Sequence, residues 1–361
     1  MITSTESPTA TPITAMEVRV VTGAGGGPEK TILNTPRFLR DFGYETICTY
    51  MHPPQDPGFE VLRRRAAEWD APLIGIPDRG IRDVKVISQI AKLCRQHKVK
   101  IWHGHDYKSN LLGLLLRPFH RMKLVTTVHG WVNHEGNMPL YSKLDRWCLP
   151  YYHHVICVSE DLHAECRDLR IRPQRLSLVD NAIDETQFCR STDRATAKTA
   201  YNLPTERLTI GAVGRLAEEK GFHLLLPAFA QLLSEGHALT LAIAGDGTAR
   251  AAIEHQTREL GISDHVHMLG FQENTQQLFQ VFDIFCLSSL REGLPNVLLE
   301  ALACEVPSVA TDLPGVRQVI DKPNLQGLIV PPGDIDSLTV ALRQLVVSKS
   351  QRDTLATAGR Q

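Results

Sequence analysis

Between Asp283 and Thr311 the chain reads DIFCLSSLREGLPNVLLEALACEVPSVAT. The apolar run DIFCLSS stops at small polar residues, as the C-terminal end of a buried strand does. Arg291, Glu292, Gly293, Leu294 and Pro295 then make a turn without apolar periodicity. From Asn296 the spacing becomes helical, with Val297, Leu298, Ala301 and Leu302 on one face. Asn296 is expected to cap that helix, and Glu300 sits early in it, where a carboxylate is favoured. Strand, acidic turn and helix in succession is the repeating unit of a parallel α/β sheet. In such a sheet, ligands bind at the strand ends and at the helix N-termini that follow them. Free amides there suit a phosphate, so Glu292 would face whatever the phosphate carries, and Glu300 would reach a second part of the same ligand. On spacing alone, two solvated charges flanking an ordinary helix are the simpler account.

The same unit recurs along the chain. LTIGAVGRLAEEKGFHLLLPAFAQLL predicts a strand over 209–213, a Gly214-Arg215 turn and an amphipathic helix from Gly221 onward. Arg215 and Lys220 lie at the mouth of that helix, and two cations at a strand end suit a diphosphate. Glu218 and Glu219 are alternative partners that would make surface ion pairs of them. LTLAIAGDGTAR and HVHMLGFQ supply further strands with glycine-containing turns.

In the first half, MEVRVVTGAGGGPEK predicts a strand through Val18, Val20 and Val21, a glycine loop and a helix with Pro28 in its first turn. Ile32, Leu33, Phe38 and Leu39 are its expected buried face. The loop is not G-x-G-x-x-G, which argues against a nicotinamide fingerprint. A phosphate cradle and a tight helix-to-sheet turn both remain open. In KIWHGHDYKSNLLGLLL a strand over 100–103 ends in His103, His105, Asp106 and Lys108. Two histidines and an aspartate invite a metal. Strand alternation and the intervening Gly104 do not force them to converge, so His105, Asp106 and Lys108 are expected to form an acceptor-side polar patch, with no metal. A strand over 124–128 ends at His129-Gly130, although a lone histidine is most often structural. The run 111–116 followed by Arg117, His120, Arg121 and Lys123 fits an anionic membrane surface or a core helix with a basic end.

Composition excludes several classes. The formal net charge is −1, which gives no reason to expect a nucleic-acid partner. Eight cysteines are spread without a C-x-x-C pair, and buried reduced thiols are expected rather than a zinc site, as in a reducing cytoplasm. The Ser/Thr/Pro-rich start MITSTESPTATPITA lacks the pattern of a signal peptide and is expected to be disordered. No apolar run approaches the ~20 residues that span a bilayer.

EGLPNVLLEALACEVPSVAT, GRLAEEKG and the strand-then-His-Gly of VTTVHGW together resemble the retaining nucleotide-sugar glycosyltransferases of family 4, or group 1. The resemblance covers roughly residues 16 to 361 and is most specific in the C-terminal half. It implies that Glu292 contacts the transferred sugar and Glu300 the donor ribose. The backbone of Gly293, Leu294, Asn296 and Val297 would hold the diphosphate together with Arg215 and Lys220. Gly26 and Gly27 would approach the donor phosphates, Gly270 and Phe271 the base, and His129 the sugar near the scissile bond. Asn181-Ala182-Ile183-Asp184 replaces a common Asn-Gly-Ile-Asp, which is tolerated unless the second position needs a positive φ. Members of the family usually continue past a segment like LATAGRQ with a helix that crosses back to the first domain. Here the sequence ends at Gln361, so that helix is expected to be missing.

The expected fold is therefore α/β of the GT-B type, two doubly wound Rossmann-like domains facing across a cleft. The expected divisions are a tail over 1–15, an acceptor-side domain over 16–190 and a donor-side domain over 191–361. The expected reaction moves a sugar from a nucleotide-diphospho-sugar to a carbohydrate or lipid-linked acceptor hydroxyl in glycoconjugate synthesis. Glu292, His129, Arg215 and Lys220 would be catalytic, and no metal or other cofactor is expected. Cytoplasmic location with peripheral contact to the inner membrane face completes the expectation. A nucleotide-sugar epimerase of the same architecture and a non-catalytic nucleotide-sugar-binding protein are the alternatives.

Overall fold

The computed structural model describes residues 12–80, 83–131 and 140–361. It divides into two compact units, Met1–Asn181 and Ala182–Gln361. The boundary lies nine residues before the expected one because the connecting segment belongs to the second unit. Phe188 joins that unit's core, and the Arg190 guanidinium donates to the carbonyls of Cys304 and Glu305 at 3.1 and 3.3 Å. Ala182 is not among the residues with positive φ.

In the first unit, strands β1 (Ile13–Val20), β2 (Tyr44–His52), β3 (Leu73–Pro77), β4 (Ile101–Gly104), β5 (Lys123–Val128), β6 (His154–Cys157) and β7 (Leu176–Leu178) form one parallel sheet in the order β3-β2-β1-β4-β5-β6-β7. Between them run helices α1 (Gly27–Leu39), α2 (Pro57–Glu68), α3 (Val84–Gln96), α4 (Tyr107–Leu116), α5 (Leu140–Cys148) and α6 (Glu160–Asp168). β1 begins inside the expected tail because its first residues pair with β2, Ile13 opposite Tyr44. The sheet is covered on both faces, so β1 and β2 are buried along most of their length, polar residues such as Glu17 and Thr49 included. Trp102, fully buried, sits at the centre of the larger core with Met16, Leu112, Leu124 and Val155. The buried face of α1 is Glu29, Ile32, Leu33 and Pro36. Phe38 faces solvent, since the i, i+4 row from Ile32 passes through Pro36.

In the second unit the parallel sheet follows the order β10-β9-β8-β11-β12-β13. Its strands are β8 (Leu208–Val213), β9 (Leu239–Ala244), β10 (Val266–Gly270), β11 (Ile284–Leu287), β12 (Ser308–Thr311) and β13 (Leu328–Val330). Its helices are α7 (Arg194–Ala200), α8 (Phe222–Ser234), α9 (Arg250–Glu259), α10 (Thr275–Phe279), α11 (Asn296–Ala303), α12 (Pro314–Val319), α13 (Ile335–Val347) and α14 (Lys349–Arg360). Phe279 packs edge-on against Phe282 and Phe285 beneath β11. The buried pair Lys198–Asp283, 2.7 Å apart, ties α7 to the sheet by bonds to Thr209 N–H and the Arg207 carbonyl.

Each sheet reverses its strand order once, between β1 and β4 in the first unit and between β8 and β11 in the second. At such a point successive crossovers leave on opposite faces, and a crevice opens beyond the carboxyl ends of the two strands. Those two places are where the expected site residues collect.

Candidate functional site

In the second unit the crevice lies between the turn after β8 and the turn after β11. Lys220 ends a short 3-10 turn, and the αL backbone of Gly221 (φ 66°) then redirects the chain into α8. Lys220 Nζ donates to both oxygens of Glu292, at 2.7 and 2.9 Å, and the Ser289 hydroxyl donates to the same carboxylate at 2.6 Å. Ser289 is itself held through its carbonyl, which accepts from the Thr311 hydroxyl at 2.6 Å. Glu292 is thus a shielded carboxylate locked across the switch point. Arg215 pairs instead with Glu219, one of the alternative partners read from the sequence, and keeps most of its side chain in solvent.

Behind this pair α11 begins at Asn296. Its N-cap is Pro295, without a side-chain cap bond, so Asn296 is the first helical residue and not the cap. The leading amides of Asn296 and Val297 have no carbonyl one turn earlier to receive them. Glu300 is 2% exposed, on the inner side of the helix. The turn carrying Gly293 and Leu294 rests on α12, where any Cβ at Gly315 would lie 1.6 Å from the Gly293 carbonyl oxygen. Gly270 closes β10 with φ 69° in open space, and Phe271 beside it is 44% exposed, as a surface for a flat ring would be.

In the first unit the crevice is lined by β1, β4 and β5. Glu17 on β1 stands opposite His103 on β4 in the sheet register, and His105 follows two residues on, on the same side. His103 Nδ1 and His105 Nε2 both reach Glu17 Oε2, at 2.8 and 2.7 Å. His105 Nδ1 lies 3.1 Å from His129 Nε2, and His103 Nε2 lies 2.8 Å from the Thr127 hydroxyl. The histidines therefore converge, contrary to the expectation from strand alternation, because residues i and i+2 of a strand share a face. Burial works to raise the Glu17 pKa, but the neighbouring His103 and His105 outweigh it and bring it to about 2. Burial, aided by His103, brings His105 down to about 4, and burial holds half-buried His129 well below its ordinary value.

Among the described residues, Glu17, His103 and His105 are the group whose ligand atoms could gather on a metal, all within 4.8 Å. Both nitrogens sit at hydrogen-bond distance from a single carboxylate oxygen. Ligands about 2.0–2.1 Å from a zinc ion would stand farther apart than that, so the arrangement is a hydrogen-bonded one.

The other first-unit expectations change in kind. Asp106 caps α4 through the amides of Lys108 and Ser109 and accepts from Val20 N–H at 2.7 Å. Lys108 is buried against Asp78 at 2.5 Å and the Gly80 carbonyl at 2.9 Å. With His105 only 7% exposed, His105, Asp106 and Lys108 do not make an open polar patch; they are framework. In the glycine loop, Gly26 N–H donates to Glu29 at 2.6 Å, and Glu29 also takes the Arg19 guanidinium at 2.5 Å. That amide is therefore engaged within the loop, and Gly27 is the first residue of α1. The sequence also suggests a flexible acceptor-side loop over 133–137, which lies outside the described residues.

The model of the family described as "Glycosyl transferases group 1" matches residues 193–361, and that of "Glycosyltransferase Family 4" matches residues 25–187. The chain belongs to the group 1 glycosyltransferases. A D-inositol 3-phosphate glycosyltransferase of Corynebacterium urealyticum is 26% identical over 367 residues, covering 93% of this chain and 86% of that protein. An N-acetyl-alpha-D-glucosaminyl L-malate synthase of Bacillus anthracis is 29% identical over 243 residues, covering 66% of this chain and 63%, under two thirds, of that protein. Among solved structures, Anabaena HepE in complex with UDP-glucose superposes with a TM-score of 0.80 over 96% of this chain and 93% of that one. At 18% identity that likeness is one of fold, and it places both units in the GT-B class.

For a group 1 glycosyltransferase the residues missed by sequence reasoning are Glu17, Arg19, Glu29 and Ser289. Glu17 had one visible signal, a carboxylate in the middle of the apolar strand MEVRVV. Glu29 had another, as the only acidic residue of a helix first turn that follows a glycine loop.

Proposed function

We propose that the protein transfers a sugar from a nucleoside-diphosphate sugar to an acceptor hydroxyl with retention of anomeric configuration. The observation that carries this reading is the Lys220–Glu292 pair at the second unit's switch point, in front of the leading amides of α11. On this reading the diphosphate lies on those amides and takes over part of the Lys220 contact. Arg215 leaves Glu219 to join it, Glu300 meets the ribose, Gly270 and Phe271 the base, and Glu292 the sugar. The acceptor oxygen bonds to the anomeric carbon from the face the nucleotide leaves, and the carbon–phosphate-oxygen bond breaks. The acceptor proton passes to a phosphate oxygen of the leaving nucleoside diphosphate. Lys220 and Arg215 stabilise the charge that develops there, the part a divalent cation plays in other phosphate sites, so the reaction runs without added metal. His129 in the first unit contacts the transferred sugar. Relatives and neighbours support the donor class: UDP-sugars are named for an Escherichia coli galactosyltransferase and for the HepE complex.

Binding and chemistry are tested separately. UDP-, GDP- and ADP-sugars are screened by thermal shift against the wild type and Glu300→Ala. A donor at 100 times its Kd stabilises the fold by about 2.7 kcal/mol. One nucleotide class should shift the wild type and not the variant. The anomeric proton coupling of the transferred sugar should match the donor's, with turnover unchanged by EDTA. An inverted product, or turnover that needs Mg²⁺, would refute the mechanism. An isomerised sugar nucleotide formed without acceptor would identify an epimerase, and binding without either product a non-catalytic protein.

A membrane-side acceptor also fits the first unit. α5 buries Ser142, Asp145 and Cys148 and turns Leu140, Tyr141, Lys143 and Trp147 outward, followed by exposed Tyr151. A helix with its aromatic side in solvent and its polar side inward suits an anionic lipid surface, where Trp and Tyr sit at headgroup level and Lys meets phosphate. Among the described residues no helix is long and apolar enough to cross a membrane.

A further inference from the structure

The network behind His129 determines what that residue offers a substrate. Glu17 is 1% exposed and His105 7%, so neither meets a ligand directly, whereas half-buried His129 stands at the end of β5. The chain of contacts is continuous: Glu17 Oε2 to His105 Nε2 at 2.7 Å, then His105 Nδ1 to His129 Nε2 at 3.1 Å. A carboxylate oxygen can only accept, so His105 must carry its ring proton on Nε2. A neutral imidazole has one such proton, and His105 Nδ1 is then a lone pair. The facing His129 Nε2 must donate to it. Neutral His129 is left with its own Nδ1 bare. His103 meets the same Glu17 oxygen through Nδ1 at 2.8 Å, where a ring nitrogen can only donate, and its Nε2 lies 2.8 Å from the Thr127 hydroxyl.

We propose that Glu17 and His105 are positioning residues that lock His129 in the tautomer with Nε2 protonated and Nδ1 bare, so that His129 accepts a hydrogen bond from a substrate hydroxyl. The proposal rests on the placement of His129 at the transferred sugar. The group it selects is an O–H donor, a sugar hydroxyl, and a ligand offering only an acceptor at that position, such as a fluoro or methoxy substituent, is refused. A carboxylate behind a histidine fixes tautomer and ring orientation in the same way in hydrolase triads. In this chain the carboxylate acts through an intervening imidazole, which keeps its charge away from the sugar while retaining its directional hold.

The test begins with the full-length protein and its histidines labelled with ¹⁵N. The His129 spectrum should show Nδ1 at the unprotonated shift and Nε2 at the protonated one. The opposite tautomer overturns the proposal whatever the enzyme's activity, which separates its failure from that of the transfer reading. In Glu17→Gln the fixed tautomer should give way to a mixture, and kcat/KM should fall about 10-fold or more, the scale seen when an outer carboxylate behind a functional histidine is removed. Binding of the free nucleoside diphosphate, which carries no sugar for His129 to meet, should not change. Adding Glu17→Gln to His129→Ala should cost nothing further; an additive loss would show that Glu17 acts outside the relay and overturn the proposal. Zn²⁺ alone is the remaining probe. Stoichiometric loss of the His105 Nε2–H signal would make the cluster a cation site and overturn the relay, and an unchanged spectrum supports it.

Discussion

Acidification should begin to destabilise the first unit above the ordinary carboxylate range, because His105 and His129 are held neutral in the fold. His105 falls from 6.5 when free to about 4 in the fold. Between those values the unfolded chain binds a proton that the native state refuses, so stability is full above pH 6.5 and drains away as pH falls toward 4. Two and a half pH units at ~1.36 kcal/mol each give about 3 kcal/mol from His105 alone. His129 adds to the loss in the same window, since burial holds it low as well. Glu17, depressed to about 2, contributes stability that is present above pH 4.5 and is lost only below it. Asp106 and Asp145, raised by burial, work the other way, since the fold takes up their protons at a higher pH than the unfolded chain does. The assay has a built-in reporter: the four tryptophans, Trp69, Trp102, Trp131 and Trp147, all belong to the first unit. Urea unfolding followed by tryptophan emission at pH 7, 6 and 5 should therefore give a free energy that drops steadily, and His105→Gln should flatten the slope. A value that holds constant or rises between pH 6.5 and 5 would refute the reasoning.

Two further outcomes follow from the fold. Gly245→Ala should lower the melting temperature by about 5–15 °C, because its φ of 141° and a Gly214 carbonyl oxygen 1.8 Å from the new Cβ leave no backbone solution; an unchanged melting temperature by circular dichroism would count against the geometry of the β9 turn. Trp147→Ser with Tyr151→Ser should reduce sedimentation with vesicles of mixed phosphatidylglycerol and phosphatidylcholine several-fold while leaving donor binding intact. Equal sedimentation of variant and wild type would remove the membrane reading of α5.

What the sequence disclosed and what it hid divide along the range of the interactions. Strand–turn–helix units are set by neighbours within about ten residues, so the elements around Glu292, Lys220 and His129 were legible from periodicity and turn chemistry. The α11 start was misread because Asn296 has the chemistry of a cap, while Pro295, with its fixed φ and missing N–H, fits the boundary just before it. The Glu17–His105 contact joins residues 88 apart in sequence, and nothing local says that β1 lies beside β4. Once that neighbour is known, strand alternation places Glu17, His103 and His105 on one face, the rule that seemed to keep the histidines apart. Lys108 and Asp106 were misassigned for the complementary reason. Their partners, Asp78 just past the end of β3 and the amide of Val20 at the end of β1, are remote in sequence, and a buried charge cannot be distinguished from an exposed one without them.

Two lysine–carboxylate pairs of the second unit, Lys198–Asp283 buried and Lys220–Glu292 part-buried, show why position, more than burial, marks the site. Burying an ion pair is often no better for stability than packing apolar residues in its place, so each pair needs a reason to be there. Lys198 and Asp283 have a structural one: their remaining bonds go to the main chain, to the Arg207 carbonyl and the Thr209 amide, and so anchor α7 on β8. Lys220 bonds to both oxygens of Glu292, which also accepts from the Ser289 hydroxyl, and none of those three bonds involves a main-chain group. That pair anchors no segment of backbone, stands where the sheet's strand order reverses, and keeps 23% of the lysine side chain open to solvent. A charge held by a side chain that can be exchanged is what the proposed diphosphate would need. The first unit repeats the logic with different chemistry: at its own reversal point the buried carboxylate is held by imidazoles, and the outermost of them is the one a ligand can touch.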